Sequence, residues 1–339
     1  MLPKNREVRL DSEIRNNSTS GGLVTQLLIC ALNNGLITGA VVTRMSKDNP
    51  LVPEPFIART QEEIIEASCS KYCPVPVNMA LKELVKTGSK ETIAVVGLPC
   101  HIHGLQKAKY KGLFKCNLIF FGIFCGHTPS FNATQWLLRQ NGINVADVKQ
   151  IEYRGKGWPG SMTVTCMDGS KVSLDYHMYW DSGFGKYFFP PRCTLCYDGT
   201  AEFADISFGD AWLPRFKNDR IGTSVIISRT SVGDRLLSQC KGIIELQKVD
   251  RDEVVASQRS MLAYKKKGYS ARKAIRRFTQ HKTPDYNITE VKPKFVDYLG
   301  AISVYVSLWM AKHHLWPLLK VHSIVTRICR FVYKRQKNP

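Results

Sequence analysis

Apolar positions along this chain come in short runs whose period changes from segment to segment. Leu23 to Leu32 repeats at helical spacing behind Asn17-Ser18-Thr19-Ser20-Gly21-Gly22 and closes at Asn33-Asn34-Gly35. This predicts a helix with a hydroxyl- and glycine-rich start, followed by a strand over Leu36 to Thr43. Gln61 to Ala67 predicts a short helix. Glu91 to Val96 and Leu118 to Phe124 are β-branched and aromatic runs of the kind buried on both faces of a parallel sheet; they stop at Gly97-Leu98-Pro99-Cys100 and at Cys125-Gly126. Met162 to Cys166 and Ser170 to Leu174, separated by Asp168-Gly169, predict a hairpin. Gly222 to Arg229 predicts a strand, Val232 to about Cys240 a helix, and Asp250 to Gln258 closes the folded body. The pattern predicts an α/β fold: a mixed sheet core with flanking helices, a small N-terminal subdomain over 1–90, a main domain over 91–262 and a basic helical tail over 263–339.

Composition changes this picture in two places. The chain has 339 residues and eleven cysteines, and Met1 to Arg15 is polar throughout. The expectation is therefore reduced thiols and a cytoplasmic protein. The net charge of +20 is uneven: residues 264–339 hold 17 Lys and Arg against Asp285, Glu290 and Asp297, a balance of +14, which leaves +6 for the preceding 263. A basic catalytic groove does not follow from the total. In the tail, Lys265-Lys266-Lys267, Arg272, Lys273, Arg276 and Arg277 precede an uncharged run, Tyr298 to Ala311, of 14 residues. A membrane-spanning helix needs about 20. Basic flanks with Trp309 and Trp316 suit a helix at a membrane surface or on a partner, and equally one packed on its own domain. The tail has no nucleic-acid reading module and its charges alternate with apolar runs, so nucleic-acid binding is not expected.

The chemistry centres on Pro190 to Trp212, where Cys193 and Cys196 stand at a spacing that lets one metal centre take both sulfurs. About four ligands are needed. Cys100 and Cys125 each close a predicted strand at the edge where open α/β sheets bind ligands, giving a C…C…CxxC set. Single ligands from distant strand ends, none of them clearly histidine, favour an iron–sulfur cluster over zinc. The alternative is a zinc-stabilised basic protein that binds nucleic acid or a membrane surface. His101, His103 and His127 adjoin these turns and are expected to be solvated. Ser20, Gly21 and Gly22 offer backbone N–H groups to a phosphate, or serve only as a cap. Ser68 to Pro76 reads as a proline-stopped loop carrying Lys71 and Tyr72, with Cys69 and Cys73 as a second thiol pair. Arg154, Gly155, Lys156, Gly157 and Trp158, in the run Tyr153 to Gly160, suit close approach to a flat anionic ligand or form a basic turn before a strand.

Taken together, Ser20-Gly21-Gly22, Ser68 to Pro76, Gly97-Leu98-Pro99-Cys100, Phe124-Cys125-Gly126, Tyr153 to Gly160 and Pro190 to Trp212 resemble, in order over residues 15–260, the coenzyme F(420) hydrogenase/dehydrogenase beta-subunit family. The resemblance implies an oxidoreductase holding FAD and a 4Fe-4S cluster, with Cys100, Cys125, Cys193 and Cys196 as cluster ligands. It implies flavin contacts at Ser20, Gly21, Gly22, Ser68, Lys71, Tyr72 and 154–158, so that 1–90 is a flavin-binding subdomain and 91–262 an FAD/iron–sulfur domain. Asp198, Glu202, Asp205 and Asp210 are expected to order the cluster loop. Some relatives add an N-terminal ferredoxin-like module, whereas this chain has no cysteine before Cys30. The implied partners are a redox protein, ferredoxin-like or another oxidoreductase subunit, and coenzyme F(420) or another small-molecule substrate.

Overall fold

The computed structural model describes residues 12–88, 90–319, 321–322 and 324–325. The polar opening to residue 11 and the basic end from residue 326 lie outside them.

Buried β-branched runs build a six-stranded sheet from β1 (Gly39–Met45), β2 (Pro53–Ala58), β3 (Thr92–Gly97), β4 (Asn117–Ile123), β8 (Ile206–Asp210) and β9 (Ser224–Ser228), in the order β2-β1-β3-β4-β8-β9. The four inner strands run parallel, with Gly39 beside Ile93, Thr92 beside Asn117 and Phe121 beside Ile206; β2 and β9 are antiparallel edges. Side chains of one strand alternate between two cores. Ile93, Val95 and Phe120 pack with Leu81, Leu84, Ile102 and Leu105 from the helices Asn78–Thr87 and Pro99–Tyr110. Ala94, Ile119 and Phe121 face Leu27, Leu28, Ala31 and Leu236 from the helices Leu23–Asn33 and Ser231–Gln239. Each fully buried Leu or Phe contributes about 1.5–3 kcal/mol.

On that second face Cys30 and Cys240 form a disulfide, with Cα atoms 6.1 Å apart. This corrects the expectation that every thiol is free. The helix carrying Cys30 and the end of the Ser231–Gln239 helix share one core, which brings two residues 210 apart in sequence together.

A smaller antiparallel sheet, β5 (Val148–Gly155), β6 (Ser161–Cys166) and β7 (Lys171–Asp175), contains the predicted hairpin. Its inner face packs Ile151, Tyr153, Met162 and Val164 against Trp136 and Leu137 of the helix Phe131–Gln140 and against Tyr179 and Phe184. The tail docks on its own body. After Arg251–Ser257 come helical turns over Arg259–Leu262 and Ala263–Lys267, then the helices Tyr269–Phe278 and Phe295–Lys312. Tyr305 Oη donates to Arg272 O (3.1 Å) and bonds Thr194 Oγ1 (3.2 Å), while Ala311 and Leu319 join the core under the smaller sheet. Among the described residues no helix is long and apolar enough to cross a membrane.

Candidate functional site

The carboxyl ends of the parallel strands open into one cavity of about 1080 Å³, near the upper end of typical small-molecule sites. Its floor comes from Val42 and Thr43 of β1, Gly97 at the end of β3 and Leu98 after it, Phe124 to His127 after β4, and Phe208 to Asp210 of β8. The segments Ser18 to Ser20 and Ser68 to Cys73 form one side, and residues 256–261 and Tyr264 the other.

At the first side, the helix Leu23–Asn33 begins in a conformation that favours glycine. Gly22 sits at φ 70°, and a Cβ there would lie 3.3 Å from both Arg15 Cα and Ile14 O. The first intrahelical bond runs from Gln26 N–H to Gly22 O at 3.1 Å, which leaves the amides of Leu23, Val24 and Thr25 at the open end beside the cavity. Ser20 and Gly21 have other work: Ser20 Oγ donates to Thr223 O (3.0 Å) and Gly21 N–H to Ser224 Oγ (3.1 Å), tying the cap to β9. The amides left open to an anion are therefore those after Gly22, since Ser20 Oγ and Gly21 N–H already have partners.

Lys71 and Tyr72 both line the cavity, as does Ser68. The Lys71 ammonium donates to the carbonyls of Ala67 (2.7 Å), Ser68 (2.5 Å) and Cys69 (3.1 Å), closing the C-terminal end of the Gln61–Glu66 helix. Burial pushes it down to about 8, partly offset by Cys69, Cys73 and Glu66. Cys69 Sγ donates to Asn17 O at 2.6 Å, and burial pushes the Cys73 thiol up to about 12.

Of the loop Tyr153 to Gly160, only Arg154 reaches the cavity wall. Its guanidinium is 1% exposed and bonds both Asp210 oxygens, at 3.0 and 3.1 Å, and Tyr72 Oη at 3.2 Å, between the rings of Tyr176 and Trp212. Its charge is already matched. Lys156 pairs with Glu152 on the outside, and Trp158 Nε1 donates to Asp210 Oδ1 (3.0 Å). Gly157 and Trp158 donate their amides to Asn16 O and Arg220 O, both at 2.8 Å, so Gly155 to Trp158 stitch the small sheet to the N-terminal segment.

Cys125 stands at the cavity, and Cys100, which is exposed, and Cys193 and Cys196, which are half-buried, lie near it. Burial pushes the Cys125 thiol up to about 12 with Lys265, Cys193, Cys100 and Cys196 as charged neighbours. Burial also raises Cys100, which senses Cys196, Arg192 and Cys193. Cys125 N–H donates to Gly199 O (2.8 Å), holding the strand end to the loop that follows Cys196. Asp198 organises that loop, accepting from Thr200 N–H (2.9 Å) and Glu202 N–H (2.8 Å) and bonding His103 Nε2 (3.0 Å). Asp205 accepts from Phe120 N–H at 2.8 Å. Among the described residues no group of three or more His, Cys, Asp or Glu is drawn in around a single metal ion. Four neighbouring thiols are nonetheless the kind of donor set that an iron–sulfur cluster takes.

The histidines are not solvated as expected. His101 Nδ1 accepts from Leu98 N–H (3.3 Å) at the start of the Pro99–Tyr110 helix, and burial pushes both His101 and His127 down to about 4. His127 Nε2, Tyr264 Oη and Ser18 Oγ are buried at the cavity without a hydrogen bond among the described residues. Orphaned polar groups of this kind need a partner beyond the protein, which an ordered water or a polar cofactor can supply. Sequence reasoning missed Tyr264 and Trp180, which reach the wall from the tail and from a helical bend without any local signal.

Known proteins resemble this chain in sequence and in fold. Residues 8–82 match the N-terminal part, and residues 90–252 the C-terminal part, of the family described as coenzyme F420 hydrogenase/dehydrogenase, beta subunit. The chain is 31% identical to the coenzyme F420 hydrogenase subunit beta of Methanothermobacter thermautotrophicus over 250 residues, covering 71% of this chain and 82% of that one. Its counterpart in Methanococcus voltae is 30% identical, over 71% of this chain and 82% of that one. The structure of an F420-reducing [NiFe] hydrogenase complex from Methanosarcina barkeri includes a chain with the same fold, at a TM-score of 0.61 and 23% identity, covering 82% of this chain and 94% of that one. From residue 8 to residue 252, the chain belongs to the coenzyme F420 hydrogenase/dehydrogenase beta-subunit family.

Proposed function

We propose that this chain is the FAD- and 4Fe-4S-bearing subunit of an oxidoreductase that exchanges hydride with coenzyme F(420), or another small-molecule substrate, and single electrons with a redox partner protein. The observation that supports this reading is one cavity that runs from an open helix N-terminus to Cys125, near which Cys100, Cys193 and Cys196 also lie. Relatives named as F420 hydrogenase beta subunits, and one named as a coenzyme F420-dependent sulfite reductase, support the substrate and the partner protein.

A flavin takes up hydride as two electrons and releases them one at a time, and a cluster carries one. The protein supplies placement. Amides of Leu23, Val24 and Thr25 would hold the FAD pyrophosphate, Tyr72 and Trp180, with ring centroids 4.9 Å apart, would wall the ring system, and Cys100, Cys125, Cys193 and Cys196 would hold the cluster. Asp210 keeps Arg154 fixed on the cavity wall.

The test is anaerobic purification followed by a visible spectrum, flavin release and iron and sulfide assay. The expected result is about one FAD and four irons per chain. Protein without flavin after reconstitution overturns the reading.

A further inference from the structure

The helix Phe295–Lys312 lies beyond residue 252, where the family match ends, and its own protein covers only one of its faces. On the inner side Ala301, Ser307 and Ala311 are buried, and Tyr305 is hydrogen-bonded to Arg272 and Thr194. On the opposite side Phe295, Leu299, Ile302 and Trp309 follow one another at steps of four, three and seven residues, and half-buried Val306 completes the row. The four are between 42% and 67% exposed. The row runs about 21 Å along the helix, and every position in it is apolar. A helix that is apolar all round is normally buried, so a bare strip of this length marks an interaction surface.

Charge selects what covers the strip. Lys292 and Lys294 stand exposed at one end of the row and Lys312 at the other. From residue 291 onward the sequence has nine Lys and Arg against Asp297 alone, a balance of +8. The Asp297 carboxylate is occupied at the helix start, where it accepts Lys294 N–H at 2.7 Å. Of the two tryptophans, Trp309 belongs to the bare strip, whereas Trp316 packs on the body: its Nε1 donates to Ala311 O (3.2 Å) and Arg139 lies over its ring. We propose that this outward face lies flat on an anionic lipid surface, with its apolar row at the boundary of headgroups and acyl chains and the lysines at both ends on lipid phosphates. A second copy of the face, packed against it, would set lysine against lysine, and a protein partner would need an apolar groove with carboxylates at both ends. An anionic bilayer supplies both features in one surface. Ser303, Val304 and Ser307 of the same helix line the cavity, so docking places the cavity about one helix diameter, roughly 10 Å, from the lipid. The proposal does not depend on which cofactor the cavity holds.

The experiment uses the full chain in vesicle flotation, with phosphatidylcholine alone and with phosphatidylcholine mixed with phosphatidylglycerol, at low and at high salt. Wild type is expected to float with the anionic vesicles at low salt and to be largely released by high salt or by leaving out phosphatidylglycerol. Ile302→Glu and Trp309→Glu change exposed positions and leave the core untouched. Each should weaken binding about tenfold or more. A variant combining Lys292→Gln, Lys294→Gln and Lys312→Gln should lose the preference for anionic lipid while its circular dichroism stays that of wild type. Wild type that stays off the anionic vesicles overturns the proposal, as does equal binding to both kinds of vesicle or binding that both glutamate variants retain. A dimer in sedimentation that Ile302→Glu dissolves overturns it in favour of a second copy.

Discussion

Arg154 and Asp210 join the two sheets of this protein. Arg154 comes from the end of β5 and Asp210 from the end of β8, and their bidentate contact at 3.0 and 3.1 Å is reinforced by Trp158 Nε1 and Tyr72 Oη. The pair sits on the cavity wall, so architecture and site share one interaction.

Removing one partner is therefore expected to be costly. Asp210→Ala leaves a buried guanidinium unpaired and should lose about 3–5 kcal/mol in urea unfolding. Arg154→Met keeps an apolar stem between Tyr176 and Trp212 and should lose clearly less. Equal losses from the two variants would refute the assignment of Arg154 as a charge whose partner is Asp210.

Lys71 gives a pH dependence with a definite sign. Burial holds the folded ammonium near about 8, against 10.5 for the exposed group. Between those values the unfolded chain binds more protons than the folded one, so this group makes stability rise with pH across that window and leaves it flat below. Unfolding midpoints measured on either side of about pH 8 should show the rise, and Lys71→Met should remove it. Anionic ligands in the cavity should bind less well over the same window, because Lys71 loses its charge there.

The parallel core was legible because its signals are local. Ile93 to Val96 and Leu118 to Phe121 are continuous apolar runs, and each delivers a cysteine just past its end. β2 gave no such signal, since Pro53 and Pro55 interrupt it, and it survives as an edge where missing donors are tolerated. The basic glycine loop Gly155 to Trp158 reads like a ligand contact because composition says nothing of Asn16 and Arg220, the distant carbonyls it serves. Arg154 likewise meets its counter-charge 56 residues away. The tail stayed ambiguous for the same reason, as its partners Thr194 and Leu195 lie across the fold.

Gly122 tests the packing behind the cysteines. It lies in β4 beside Gly97 and Ser207, and a Cβ there would overlap the Ala201 methyl and lie 2.8 Å from that of Ala204. Gly122→Ala should cost about 1–3 kcal/mol through overpacking and displace the loop after Cys196. The measurements are thermal unfolding and iron content after reconstitution, both expected to fall. A variant with unchanged stability would mean that this loop yields freely.

Arg272 holds the tail onto the Cys193–Cys196 segment. Its Nε donates to Thr194 O and its Nη2 to Tyr264 O, both at 2.6 Å, while the guanidinium lies 4.0 Å from the centre of the Tyr264 ring. Arg272→Met preserves much of the stem but orphans two carbonyls, one of them within the CxxC turn, at about 1–3 kcal/mol each where water cannot reach them. The loss should be local. Amide hydrogen exchange is expected to accelerate across 193–199 and 260–266, with β3 and β4 unchanged. Tyr305→Phe, which removes one hydroxyl bridging Arg272 O and Thr194 Oγ1, should produce a weaker effect in the same segments. Uniform acceleration throughout the sheet would instead mean that the tail stabilises the whole body and not the cysteine loop in particular.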